Sequence, residues 1–343
     1  MKRTAILLIA LICAATTLTA QDSPRYQGMR DVNNVVDNTA DSLEKANQVR
    51  PVSGSSRRGT NPVIFLVGNS TMRNGTLGNG NNGQWGWGYY FPQYFNATKI
   101  TVENQALGGM STRTFYTDLW PAVRDALQPG DWVIVSIGHN DNGDFFDQRR
   151  ARAVIPGVDP DTMYVGFNQR TQRQDTVYSY GHYLHLYIND IRAHGANPVL
   201  MSLTPRDAYD GQTGLIVRKP QTQWAAYVAA TEGVPFVDLN EISGAKLDSY
   251  SPWKEKYHFL GDHIHTSKFG AEMNARSAAE GLYYSQNPLL QPLRQMMQNV
   301  ALQVYSTDST TPQLHNPSRK PVLFFTGDST VKNKDKDDDG MWG

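Results

Sequence analysis

The chain has 343 residues, 32 basic against 32 acidic side chains, 39% hydrophobic residues and a single cysteine. Zero formal net charge leaves no electrostatic footprint for nucleic acid or an anionic membrane, and the apolar and aromatic content excludes a wholly disordered chain. Cys13 lies inside an apolar N-terminal run, so thiol catalysis, disulfides and cysteine metal ligands are not expected in the remainder.

In chain order, residues 1–20 read as an export signal. Lys2 and Arg3 precede an apolar stretch too short to span a bilayer, and small residues lead up to Ala20. This predicts a periplasmic or secreted protein with no membrane attachment after cleavage. Residues 21–60 are polar and aperiodic and read as a leader or linker. Val63-Ile64-Phe65-Leu66-Val67 is a continuous apolar run ending in Gly68, the pattern of a strand buried on both faces. Similar runs follow at 100–106, 132–137, 198–203 and 234–239. Helical patterns lie between them at 87–95, 112–126, 180–194 and 222–232, with a last one at 267–284. Strands alternating with helices predict a three-layer α/β/α domain of flavodoxin-like type with a five-stranded parallel sheet, over residues 61–286. Residues 142–177 read as a long non-periodic insertion, and 287–319 as a helix and linker.

In such a sheet, ligands bind beyond the carboxyl ends of the strands, where the unusual residues cluster here. The first strand runs into Gly68-Asn69-Ser70-Thr71, the second toward Gly108-Gly109, and the third into Gly138-His139-Asn140-Asp141. Gly261-Asp262-His263-Ile264-His265 precedes the last helix. A serine on a strand-to-helix turn presents its hydroxyl and its own N–H to a carbonyl, but it needs a base, and the base needs a partner for its other ring nitrogen. Ser70, His265 and Asp262 fit those roles. The Ser70 and Gly109 N–H groups and the Asn140 amide fit an oxyanion hole.

Simpler readings exist for each element. Ser70 alone fits a helix N-cap, and Asn140 and Gly109 fit ordinary turn positions. His258, Asp262, His263 and His265 include ordinary zinc ligands, which leaves a metal-dependent hydrolase as the rival enzyme. Gly78 to Gly83 have dinucleotide-motif spacing, but they begin ten residues after the strand and read as a loop.

Taken together, the four blocks resemble those of the SGNH (GDSL-like) hydrolases, and most closely the rhamnogalacturonan acetylesterases. Thr112-Arg113-Thr114-Phe115, Trp85-Gly86-Trp87-Gly88 and His265-Thr266-Ser267 add to the likeness, which covers residues 62–284. The resemblance implies a serine esterase that removes O-acetyl groups from acetylated rhamnogalacturonan, a pectic polymer. Ser70 would be the nucleophile, His265 the base and Asp262 its partner, with Ser70, Gly109 and Asn140 as the oxyanion hole and no metal or organic cofactor. The family usually has aspartate where this chain has Asn69, which motivates a second alternative, a carbohydrate-binding relative without activity. Substrate contacts are sought at Trp85, Trp87, His139, Arg149, Arg150 and Arg152, where aromatics could stack on sugars and arginines could face a uronate. Core packing for the tryptophans and a solvated loop for the arginines are the simpler readings.

Residues 321–330 repeat 62–71 at a constant offset of 259, and Gly340-Met341-Trp342-Gly343 echoes Gly83-Gln84-Trp85-Gly86. Residues 320–343 therefore read as the start of a second, tandem esterase domain, in which Ser329 lacks the later blocks and is not expected to be catalytic.

Overall fold

The computed structural model describes residues 49–75, 78–80, 83–250 and 258–300. The expected export signal, the leader up to residue 48 and the C-terminal repeat lie outside the described residues. Seven strands are described: β1 (Val63–Gly68), β2 (Thr101–Asn104), β3 (Trp132–Ser136), β4 (Met163–Asn168), β5 (Arg173–Tyr178), β6 (Asn197–Met201) and β7 (Phe236–Val237). The helices are α1 (Trp87–Tyr90), α2 (Thr112–Asp118), α3 (Trp120–Ala126), α4 (Tyr180–Ala193), α5 (Pro220–Glu232), α6 (Leu239–Asp248), α7 (Lys268–Tyr284) and α8 (Gln291–Arg294).

Five strands pair in the order β2-β1-β3-β6-β7, all parallel. The period of two along a strand divides their side chains between two layers. Val63, Phe65, Val67, Val133 and Val135 face Phe115, Trp120, Leu184, Tyr187, Ile188 and Val228 of α2 to α5. Ile64, Leu66, Ile134, Val199 and Met201 face Trp87, Phe91, Ala275, Ala278, Ala279 and Leu282 on the other side. The result is a three-layer α/β/α fold with every β1 residue buried, which is why that strand reads as uninterrupted apolar sequence.

Several elements differ from the sequence expectation. The helix expected over 112–126 is two helices parted at Leu119, because Pro121 in the first turn of α3 has no N–H to continue the ladder. The helix expected over 87–95 is one α-helical turn followed by a 3₁₀ turn, Phe91–Tyr94, with Pro92 at its start. Helix α6 was hidden in sequence by its short, polar composition. The 142–177 insertion carries the antiparallel hairpin β4-β5, which runs on to Tyr178. Its apolar residues Met163, Tyr164, Val165 and Phe167 are all at least half exposed, so no inward and outward contrast marked it as a strand.

Packing also continues past residues 61 and 286. The Gly54 and Ser56 N–H groups donate to the Glu103 carboxylate at 2.8 and 2.5 Å, and Arg57 makes a two-pronged pair with fully buried Asp131 at 2.9 and 2.5 Å. Leu290, Leu293 and Val300 join the core beneath β1 and β3.

Candidate active site

Ser70 follows β1 directly, on a turn in which the Met72 and Arg73 N–H groups both donate to the Asn69 carbonyl, at 3.1 and 2.9 Å. The turn does not continue into a helix, since α1 begins only at Trp87. The helix implied by a strand-to-helix turn at Ser70 is therefore reduced to one turn, with correspondingly little dipole behind the serine. Glycines at 86 and 88 hold this turn in place. A Cβ at Gly86 would fall 2.4 Å from the Met72 and Arg73 carbonyls, and one at Gly88 2.5 Å from the Asn104 amide. That close approach lets Gly88 N–H and Asn104 Nδ2 both donate to the Met72 carbonyl, at 3.2 and 2.9 Å.

His265 Nε2 lies 2.7 Å from Ser70 Oγ across 195 positions of sequence. Its Nδ1 meets Asp262 Oδ2, so the imidazole is held between carboxylate and hydroxyl. The same loop orients the carboxylate: Asp262 Oδ1 accepts from the Ile264 and His265 N–H groups at 3.0 and 2.9 Å. Burial alone would raise the Asp262 pKa, but the hydrogen bond and charge of His265, with those two amides, outweigh it and hold the carboxyl at about 2. Asp262 is therefore ionised at any working pH, and Nδ1–H is the tautomer that it selects, leaving Nε2 to accept from Ser70. Ser267 caps α7 immediately afterwards, accepting from the Gly270 N–H.

The expected oxyanion donors stand at neighbouring strand ends, β1 for Ser70 and β3 for Asn140, with Gly109 on the loop after β2. Gly109 has φ +81, a left-handed conformation suited to glycine. Asn140 Nδ2 donates one hydrogen to the Met110 carbonyl at 3.0 Å, which ties the β3 end to the Gly109 loop and leaves its second hydrogen available. Such an arrangement can activate a serine hydroxyl and stabilise a tetrahedral anion.

The family model of the GDSL-like lipase/acylhydrolases matches residues 66–273, more than half of the chain. The chain belongs to that family. Among curated relatives, a rhamnogalacturonan acetylesterase of Emericella nidulans is 27% identical over 62% of this chain and 81% of its own length. A probable rhamnogalacturonan acetylesterase of Bacillus subtilis is 28% identical over 64% of this chain and 91% of its own. Among solved structures, the Bacillus subtilis protein YXIM superposes with a TM-score of 0.51 at 23% identity, covering 65% of this chain and 56% of that one, a likeness of fold.

In this member of the family, the expected substrate contacts separate by environment. Trp87 is 1% exposed and packs edge-on against Phe91 in the core, so the expectation of a rim tryptophan there is corrected. Trp85 is half-buried beside His265: its N–H donates to the Thr266 carbonyl at 3.1 Å, its carbonyl accepts from Thr266 Oγ1 at 2.6 Å, and its ring meets Tyr89 and Tyr90. His139 is also corrected as a substrate contact. It is buried, with Nε2 3.1 Å from Thr204 Oγ1, and Arg206 reaches its carbonyl at 2.9 Å and its Nδ1 at 3.4 Å. Burial, then the charge of Arg206, push the His139 pKa well below the usual imidazole range, so it is neutral. Arg149 is exposed, Arg150 is half-buried, and Arg152 is half-buried against Gly109.

The 258–265 group does not converge as the metal reading requires. His258 stacks on Tyr250, His263 pairs with Asp207 at 2.8 Å, and both ring nitrogens of His265 are engaged within the Asp262-His265-Ser70 line. Among the described residues no cluster of three or more such side chains is arranged to hold a metal ion. At Asn69, Oδ1 accepts from Thr71 N–H and Oγ1 at 3.2 and 3.0 Å, while the fully buried Nδ2 has no partner among the described residues. Sequence reasoning assigned no role to Thr204 and Arg206, which anchor His139, or to Thr112, which binds Asp141. All are polar residues at strand or helix ends whose partners are distant in sequence, so spacing alone did not reveal what they hold.

Proposed function

We propose that this protein is a serine-dependent carbohydrate O-acetylesterase acting on acetylated rhamnogalacturonan. The observation that carries the proposal is the hydrogen-bonded line from Ser70 through His265 to Asp262, set at the same sheet edge as Gly109 and Asn140. The two curated relatives, named for rhamnogalacturonan acetylesterase activity, support the choice of glycan. The expected N-terminal export signal fits a protein that meets such a polymer outside the cytoplasm.

In this reading Ser70 Oγ attacks the acetyl carbonyl as its proton passes to His265 Nε2, while the Ser70 and Gly109 N–H groups and Asn140 Nδ2 receive the oxyanion. Collapse breaks the bond to the sugar oxygen, which takes the proton from His265. Water then attacks the acetyl-serine with His265 as base, and breaking of the Ser70 ester gives acetate and restores the serine.

The test is acetate release from acetylated rhamnogalacturonan, xylan and chitin oligomers by wild type and Ser70→Ala, together with titration by a serine-directed phosphonate. Wild type should prefer the pectic substrate and lose activity stoichiometrically with phosphonate, and Ser70→Ala should fold and retain no more than trace turnover. Sensitivity to chelator with indifference to phosphonate would overturn the proposal in favour of a metal-dependent hydrolase. Binding without turnover by wild type would overturn it in favour of an inactive relative.

A further inference from the structure

The 142–177 insertion returns one arginine to the oxyanion-hole loop. Arg152 Nη1 donates to the carbonyl of Gly109 at 3.0 Å, the residue whose N–H faces the reacting carbonyl in the proposed mechanism. The backbone around it is held from both sides. The Ala151 carbonyl accepts from Arg113 Nη2, and the Val154 N–H donates to the Asp141 carbonyl at 2.9 Å. Ala151, Ala153 and Val154 are buried, whereas Arg152 between them is only half-buried. Ala151 has φ +41, a conformation that non-glycine residues seldom adopt, and it turns the chain so that the next side chain points back to the site.

Among the described residues this guanidinium has no carboxylate in direct contact, although the charges of Asp141 and Asp147 act on it from further away. Arg152 forms no ion pair among them, and its one hydrogen bond goes to a neutral carbonyl. Partial burial, with the neighbouring charge of Arg150, pulls its pKa down to about 10, so it stays cationic at neutral pH while having lost part of its hydration. Arg206, half-buried and within reach of the Asp262 charge, is by contrast committed to the carbonyl and ring of His139. A partly buried cation with N–H donors left over beside the Gly109 loop is a site for an anionic ligand group, and guanidinium geometry suits a carboxylate.

We propose that Arg152 is the specificity-determining residue that binds the carboxylate of a uronic acid residue in the polymer and thereby presents the acetylated hydroxyl to Ser70. The proposal rests on the esterase reading above, and it names the part of a pectic substrate that neutral acetylated glycans lack.

The test uses the full chain and an unacetylated oligogalacturonate as competitor of p-nitrophenyl acetate hydrolysis, with the methyl-esterified oligogalacturonate and a neutral xylo-oligosaccharide alongside. Wild type should be inhibited by the acid form at least tenfold more strongly than by the methyl ester or the xylo-oligosaccharide, a size typical of a charge-assisted hydrogen bond. In Arg152→Gln the acid and methyl ester forms should inhibit equally, and Arg152→Lys should recover part of the difference. Inhibition by the acid form that is no stronger than by the methyl ester in wild type would overturn the proposal. So would a preference that survives in Arg152→Gln, as verified by a melting curve to be folded. If wild type hydrolyses no ester at all, the esterase reading falls, and calorimetric titration of the same oligogalacturonate into wild type and Arg152→Gln then decides the carboxylate site by the same criterion.

Discussion

Asp141, next to the proposed oxyanion donor Asn140, should make the protein less stable as pH rises from 4 to 7.5, contrary to the usual behaviour of carboxylates. Its carboxyl is buried and contacts Thr112, one oxygen accepting from the Thr112 N–H at 2.9 Å and the other from the Thr112 hydroxyl. Burial raises its pKa from the ordinary 3.8 to about 6, more than the Thr112 bonds and the charges of Arg152 and Arg113 lower it. The native state thus holds this proton more tightly than the unfolded chain. The contribution is fully present below about 3.8 and is lost as pH climbs through about 6. At about 1.4 kcal/mol per pH unit, the gap comes to about 3 kcal/mol. Asp141→Asn isolates it, because Oδ1 can still accept from the Thr112 N–H while Nδ2 donates to the Thr112 hydroxyl, with no charge to bury. Urea unfolding followed by tryptophan fluorescence at several pH values should place the two proteins close together at pH 4. The variant should gain about 3 kcal/mol over wild type by pH 7.5. Asp262, whose pKa is lowered to about 2, titrates below this window and cancels in the comparison. A difference between the proteins that stays flat across the window, or that moves in favour of wild type, would refute the assignment of a buried, proton-retaining carboxyl.

Asn140→Ala should lower kcat by roughly a hundredfold, about 3 kcal/mol, with a smaller change in KM, because an oxyanion donor acts mainly on the transition state. A raised KM at unchanged kcat would make Asn140 a substrate-binding residue. Trp87→Ala should cost about 3 to 5 kcal/mol of stability through the cavity it leaves, and Trp85→Ala much less, which melting temperatures would check. Equal losses for the two tryptophans would contradict their different burial. Asn69→Asp preserves the oxygen that binds Thr71 and should change kcat less than Asn140→Ala does. Complete inactivity of a folded Asn69→Asp would mean that the turn depends on the neutral amide.

The sequence by itself determined what depends on local pattern. Five apolar runs, each ending where polar and glycine residues begin, sufficed to predict the parallel sheet, because a strand covered on both faces must be apolar throughout. Ser70, Gly109, Asn140, Asp262 and His265 were legible as a set because the fold brings successive strand ends to one edge, so motifs in chain order imply proximity in space. Only the tertiary structure decided matters that depend on neighbours distant in sequence. Trp85 and Trp87 are indistinguishable in the Trp-Gly-Trp-Gly motif, yet α7 and the sheet cover one and leave the other half-buried beside His265. His139 looks like a site residue until Thr204 and Arg206, more than sixty positions away, are seen to enclose it. Arg149, Arg150 and Arg152 form an undifferentiated basic run in sequence. The left-handed turn at Ala151 and the buried residues around Arg152 send that one side chain to Gly109, because burial and backbone conformation are set by contacts across the whole domain and not by the residue's own identity.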